Sequence, residues 1–177
     1  QMLPNVGDSV PLGVTALMLP SNNLRGDITP LQNAFRALGS SLQILDLSSN
    51  FLMGTLFDLQ ETLPHVHTLA LSPWSSDAES ISGPLSLPPN TRYAFLERMQ
   101  LYGTIPDVMG QLPCTTGGSI LHGVGCLLWM FDTANITGSV PDSICARRYN
   151  EIFLGHTNVS SGPCPVSYTH LTLPTIY

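Results

Sequence analysis

The sequence predicts an α/β solenoid, with short parallel strands stacked into a sheet on a concave face and loops and short helical turns on the convex face. Three observations predict it. A set of apolar and polar positions recurs at fixed offsets, the recurrence has a period near 24 residues, and apolar residues alternate within each copy as on a half-buried strand. At 177 residues and 43% hydrophobic composition, the chain has enough apolar surface for one core.

The first copy places Leu17, Leu19, Asn22, Leu24, Gly26 and Ile28 at offsets 0, 2, 5, 7, 9 and 11, and Leu45, Leu47, Asn50, Leu52, Gly54 and Leu56 repeat them. A third copy has Leu69 and Leu71 and resumes at Ile81, Gly83 and Leu85 after about five inserted residues near Ser75 to Ser80. The fourth runs from Ala94 through Leu96, Leu101, Gly103, Ile105 and Pro106. The fifth reads Trp129, Phe131, Ile136, Gly138, Val140 and Pro141; the sixth, Ile152, Leu154 and Val159, lacks the glycine and reaches Cys164. First slots at 17, 45, 69, 94, 129 and 152 give spacings of 28, 24, 25, 35 and 23.

Alternation puts Leu17 and Leu19 on the inner face of a short strand and turns Met18 to solvent. Beyond each glycine the chain must return, and Leu31, Phe35, Leu38 and Leu42 mark one apolar face of a helical turn there. Ile144 and Tyr149 suggest the same in repeat five. Asn22 and Asn50 are placed where the strand turns inward, so that their amides pair backbone groups of adjacent repeats. In later copies that slot holds Trp74, Met99 and Ala134, which cannot do this, and Thr157, which can in part.

The pattern LxLxxNxLxGxIP resembles the plant-type leucine-rich repeat of receptor-like kinase and receptor-like protein ectodomains and of polygalacturonase inhibitors. The resemblance spans about Val14 to Cys164 and is strongest in repeats one and two. It implies an α/β leucine-rich-repeat solenoid over 14–164, an extracellular or cell-surface setting, and binding without catalysis. Residues 1–13 have no clear assignment; Val10-Pro11 looks like the end of a preceding repeat. The chain opens at Gln1 with no charged region followed by an apolar one, so a signal peptide is expected to be missing or not included. From Val166 to Thr175, VSYTHLTLPT resembles the conceptual translation of a transposase-type sequencing adapter, against the alternative of a genuine tail. Residues 165–177 are therefore set aside; otherwise Leu171-Thr172-Leu173 imitates a strand.

Six Arg and Lys against twelve Asp and Glu give a formal charge of −6 without a basic cluster, which argues against nucleic acid and anionic membrane surfaces. The apolar stretch from Val124 to Phe131 is far short of the roughly 20 residues that cross a bilayer, so a membrane is expected only through a segment missing from this fragment. Cys114, Cys126, Cys145 and Cys164 lack zinc-knuckle spacing and permit three pairings. Cys114 with Cys126 is preferred, because both lie in the long connection between repeats four and five, leaving Cys145 with Cys164; free thiols in a cytosolic protein are the alternative. Asn135-Ile136-Thr137 and Asn158-Val159-Ser160 are glycosylation sequons, which permit secretion without arguing for it.

His65-Val66-His67 sets two imidazoles on one side of an extended segment, but no third ligand is placed nearby, and a loop-to-strand junction with Val66 inward is the plainer reading. Gly117-Gly118 and Gly123-Val124-Gly125 lack the rest of a phosphate-binding loop, and no GxSxG elbow occurs. No catalytic residue, metal or cofactor is nominated, and a kinase domain in the parent protein would lie outside this chain.

Binding is expected on the concave face. The outward slot between the first two inner residues holds Met18, Asp46, Ala70, Phe95, Met130 and Phe153, and the preceding outward slot holds Ala16, Ile44, Thr68, Tyr93, Leu128 and Glu151. Tyr93, Phe95, Leu128, Met130 and Phe153 would then form an exposed apolar patch, flanked by Glu97, Arg98, Asp132 and His156. The alternative is a one-residue slip that turns the five inward. The expected function is a recognition module, an ectodomain fragment of a receptor-like protein or kinase that binds a protein, peptide or glycan. The alternative is a secreted inhibitor of a cell-wall-degrading enzyme or an adhesive matrix protein.

Overall fold

A computed structural model describes residues 13–75, 80–107, 126–130, 132–133, 135–147 and 151–160, without the side chains of 145–147 and 151. Residues 1–12 of the unassigned segment 1–13 and the adapter-like tail lie outside these residues.

Each repeat contributes one strand to each of two parallel sheets. Sheet one takes β1 (Ala16–Met18), β3 (Ile44–Asp46), β5 (Thr68–Ala70), β7 (Tyr93–Phe95), β9 (Leu127–Trp129) and β11 (Glu151–Phe153), in that order. Sheet two takes β2 (Arg25–Asp27), β4 (Phe51–Thr55), β6 (Ile81–Pro84), β8 (Gln100–Thr104), β10 (Asn135–Ser139) and β12 (Asn158–Ser160). Between β2 and β3 runs α1 (Gln32–Leu38), between β4 and β5 the short α2 (Leu59–Thr62), and between β10 and β11 lies α3 (Asp142–Arg147). Phe35, Leu38, Leu42 and Ile144 are buried, so the spacing that suggests these helical turns does mark their core face. Tyr149 lies outside the described residues.

In sheet one the middle residues align as Leu17, Leu45, Leu69, Ala94, Leu128 and Ile152. They pack into a core with Leu19, Leu47, Leu71, Leu96, Met130 and Leu154 from the ends of the strands. The register therefore departs from the sequence expectation in repeat five, where Leu128, and not Trp129, is the inner residue. Leu128 and Met130 are both 0% exposed, which removes them from the expected patch. The cause is one extra residue. Three positions separate Thr133 from Ile136, where two separate Asn22 from Leu24 and Asn50 from Leu52, so alignment on Ile136 and Gly138 shifts the strand by one.

With the register corrected, the capping slot of repeat five is Thr133, not Ala134, which lies outside the described residues. The Thr133 hydroxyl donates to Met130 O at 2.6 Å, and Thr157 donates to Leu154 O at 2.7 Å. Asn50 does the same to Leu47 O at 2.9 Å and much more. Its amide also donates to Leu19 O at 2.8 Å, while its Oδ1 accepts from the backbone N–H groups of Asn22 and Leu24 at 3.0 and 2.9 Å. One buried side chain thus satisfies backbone groups of two repeats where no strand partner reaches them.

The second sheet is not anticipated by the sequence, since a recurrent glycine followed by Ile-Pro or Val-Pro reads as a turn. The glycines instead sit inside or at the end of short strands at positive φ, and each pairs with the residue two places before the glycine slot of the next repeat, as in Gly26 with Leu52 and Gly103 with Ile136. At Gly54 the demand is steric as well. A Cβ there would lie 1.9 Å from Asp27 Oδ1, which is held by the Thr29 N–H at 2.8 Å. The hydroxyls of Ser82, Thr137 and Ser160 reach back to the carbonyls of Gly54, Gly103 and Gly138, at 3.3, 3.3 and 3.1 Å. Thr137 and Ser160 are also the hydroxyl residues of the two sequons, so both have a structural use; the candidate acceptors Asn135 and Asn158 are exposed.

Candidate functional site

On the open face of sheet one the outward residues of neighbouring repeats stand side by side, and in repeats four to six the slot after the inner residue is aromatic each time. Phe95, Trp129 and Phe153 form a continuous row, with ring centroids 5.5 Å apart for Phe95–Trp129 and 5.0 Å for Trp129–Phe153. Both pairs meet edge-to-face with interplanar angles of 77°, the geometry that sets a ring's positive edge against its neighbour's negative face. All three rings are half-buried, as is Tyr93 at the other end of β7. Of the five residues expected in the patch, then, Tyr93, Phe95 and Phe153 point outward and Leu128 and Met130 do not. Trp129, read from sequence as a core residue, supplies the centre. The slip is confined to one repeat and does not turn the whole set inward.

Two polar atoms in and beside this row, Trp129 Nε1 and Tyr93 Oη, are buried with no hydrogen-bond partner among the described residues.

Beside the row the face opens into a groove of about 560 Å³. It exists because repeat three carries small residues outward. Thr68, Ala70 and Ser72 form a low floor between Asp46, Ser48 and Ser49 on one side and Phe95, Glu97 and Arg98 on the other. Pro73 and Trp74 close one end, and Trp74 is 61% exposed. Repeat three differs here for a backbone reason. The fourth residue after the inner strand position is left-handed in the other five repeats, at Ser21, Ser49, Arg98, Asp132 and His156, with φ between 54° and 59°. Proline cannot adopt that conformation, its ring holding φ near about −65°. Pro73 thus sends the chain outward and carries Trp74 with it.

The same left-handed slot sets Arg98, Asp132 and His156 in file along the edge of the aromatic row. His156 Nδ1 and Asp132 Oδ1 are 2.5 Å apart. Glu97 departs from expectation, being 8% exposed and turned into the groove wall. The Ser72 hydroxyl donates to its Oε2, and Ser72 Oγ accepts the Glu97 N–H at 3.3 Å. Burial pushes the Glu97 carboxyl above its ordinary value, against its backbone hydrogen bond and the Arg98 charge, which pull it down.

The sign of that shift gives a prediction. A carboxyl with a raised folded-state pKa binds its proton more tightly folded than unfolded, so its ionisation lowers stability as pH rises from the ordinary 4.5 through the raised value. Glu97→Gln is expected to remove this component. The difference in urea midpoint between variant and parent should grow in the variant's favour from pH 4.5 to pH 7, and parallel profiles would contradict it.

The chain matches no protein-family model, no curated protein and no solved structure.

Cys126 is disulfide-bonded. Cys114, Cys164 and the side chain of Cys145 lie outside the described residues, so the preferred pairing is untouched. Gly117-Gly118 and Gly123-Val124-Gly125 also lie outside. Among the described residues no group of three or more His, Cys, Asp or Glu is placed to hold a metal ion, and no helix is long and apolar enough to cross a membrane.

Proposed function

We propose that the chain is part of a leucine-rich-repeat solenoid, an extracellular recognition module that binds a protein, peptide or glycan across sheet one. The observation that carries this reading is the row Phe95–Trp129–Phe153 opening onto an adjoining groove. Rigid aromatic anchors held on strands next to a concave surface are what strong binding centres are built from. Six parallel strands present their outward residues as one surface, and repeat architectures use such surfaces for macromolecular partners. The Cys126 disulfide fits an oxidising compartment, and the exposed Asn135 and Asn158 fit a secreted glycoprotein.

The mechanism is association without chemistry: apolar ligand groups leave water against the aromatic row while polar groups are read by Arg98, Asp132 and His156. The test is to probe the intact chain with a random peptide library, an array of secreted proteins and a glycan array. Any ligand recovered is then measured against Phe95→Ala and Tyr102→Ala. Phe95→Ala should weaken binding by about 30-fold or more, as truncation of an aromatic hot spot does. Tyr102, 51% exposed on sheet two, should be silent. Ligands that respond to Tyr102→Ala and ignore Phe95→Ala would place the binding surface elsewhere and end this reading.

A further inference from the structure

The segment His65-Val66-His67, which has no third metal ligand beside it among the described residues, belongs to a second groove at the opposite ends of the sheet-one strands. The residue just before each of these strands lies in a column, Thr15, Gln43, His67 and Arg92. Backbone bonds hold the column: Gln43 N–H donates to Thr15 O at 2.8 Å, His67 N–H to Gln43 O at 2.9 Å and Arg92 N–H to His67 O at 2.7 Å. Val66 is fully buried, so His65 and His67, on either side of it in the chain, both face away from the core. Together with Ser40, Ser41 and Asn90, these residues line a groove of about 570 Å³.

Its charge is what sets it apart. The chain carries a formal −6 and its six basic residues are all arginine, yet among the described residues no carboxylate lines this groove, while one guanidinium and two imidazoles do. The two ion pairs among the described residues, Arg36–Glu61 and His156–Asp132, do not involve Arg92. His67 Nδ1 is engaged with Thr68 Oγ1 at 3.0 Å, which leaves its Nε2 edge for the groove. The neutral lining side chains include several donors, among them the amides of Gln43 and Asn90 and the hydroxyl of Thr15.

We propose that this groove is an oxyanion site, in which Arg92 takes a carboxylate, sulfate or phosphate group of a ligand through its forked N–H donors and His65 and His67 complete the shell. A guanidinium matches two oxygens of such a group at once, and imidazoles become double donors when protonated. Without an anion, burial and the neighbouring Arg92 charge hold His67 below its ordinary value, and His65 is the other titratable group lining the groove. A bound anion offsets the Arg92 charge, so its arrival draws a proton onto His67 and the two bind together. This site does not depend on the sheet-one reading, because it shares no residue with the aromatic row.

The experiment is histidine-ring NMR on the intact chain, following His67 from pH 5 to 8 in chloride at fixed ionic strength, with part replaced by sulfate, phosphate or acetate. His156 serves as the reference. At least one of the three anions should raise the apparent His67 pKa by about half a unit or more relative to His156. Response to sulfate or phosphate alone identifies a tetrahedral group, and response to acetate a carboxylate. The response should vanish in Arg92→Gln and also in Gln43→Glu, an exposed position where a fixed carboxylate occupies the groove while Arg92 is kept. A His67 that follows His156 in all three anions, or a response that survives both variants, would overturn the assignment.

Discussion

Replacing Asn50 with alanine is expected to lower the unfolding free energy by about 3–5 kcal/mol, the range for a buried polar hub whose partners lose their bonds together. Asn50 is 1% exposed. Its loss strands the N–H groups of Asn22 and Leu24 and the carbonyls of Leu19 and Leu47 at the junction of repeats one and two. Each such group costs about 1–3 kcal/mol when left unpaired and buried, and water entering the space left by the amide recovers part of the sum. Asn22 is the natural control. The same residue type in the same slot is exposed, and among the described residues its side-chain amide donates only to Pro20 O, at 2.9 Å, so Asn22→Ala should stay within about 0.5 kcal/mol of the parent. Urea unfolding followed by circular dichroism separates the two. Stacked repeats need not unfold together, so the Asn50 variant should also show a reduced slope as repeat one frays ahead of the rest. Equal losses in the two variants would mean that the buried amide does not bridge the repeats.

Much of this architecture is legible from particular residues. Leu17, Leu45 and Ala94 fall in one register because each starts an unbroken copy of the same spacing, and Leu69 joins them because its insertion comes after the strand. Repeat five fails for two reasons. An extra residue follows Thr133, and the run Cys126 to Phe131 is apolar throughout, so alternation gives no check on which residues face inward. The second sheet is hidden because a glycine in a short strand looks the same in sequence as a glycine in a turn. The groove on sheet one depends on Ala70 being smaller than Asp46 and Phe95 beside it, a comparison across repeats that only the register makes possible. The oxyanion groove is half legible. Alternation puts His65 and His67 on one side, but Arg92 lies 25 residues beyond His67, one repeat away.

The corrected register makes its own large prediction. Leu128→Asn should cost about 4 kcal/mol or more, because it both empties a core site and buries an amide without partners. Trp129→Asn should cost about 1–3 kcal/mol, the loss of two edge-to-face ring contacts with Phe95 and Phe153 at a half-buried position. With Trp129 inward the order would reverse, since the larger side chain would leave the larger cavity and Leu128 would sit in solvent. The sign of the difference decides the register, even if both absolute values drift. A ligand adds a second axis that stability alone does not supply. Trp129→Asn should remove binding in a chain that still unfolds cooperatively, whereas a conservative Leu128→Met change should leave affinity unaltered, because that side chain supports the row from beneath and offers nothing to the surface. If Leu128→Met and Trp129→Asn weakened binding to the same extent, the row would be part of the core and the recognition surface would have to be sought elsewhere on the chain.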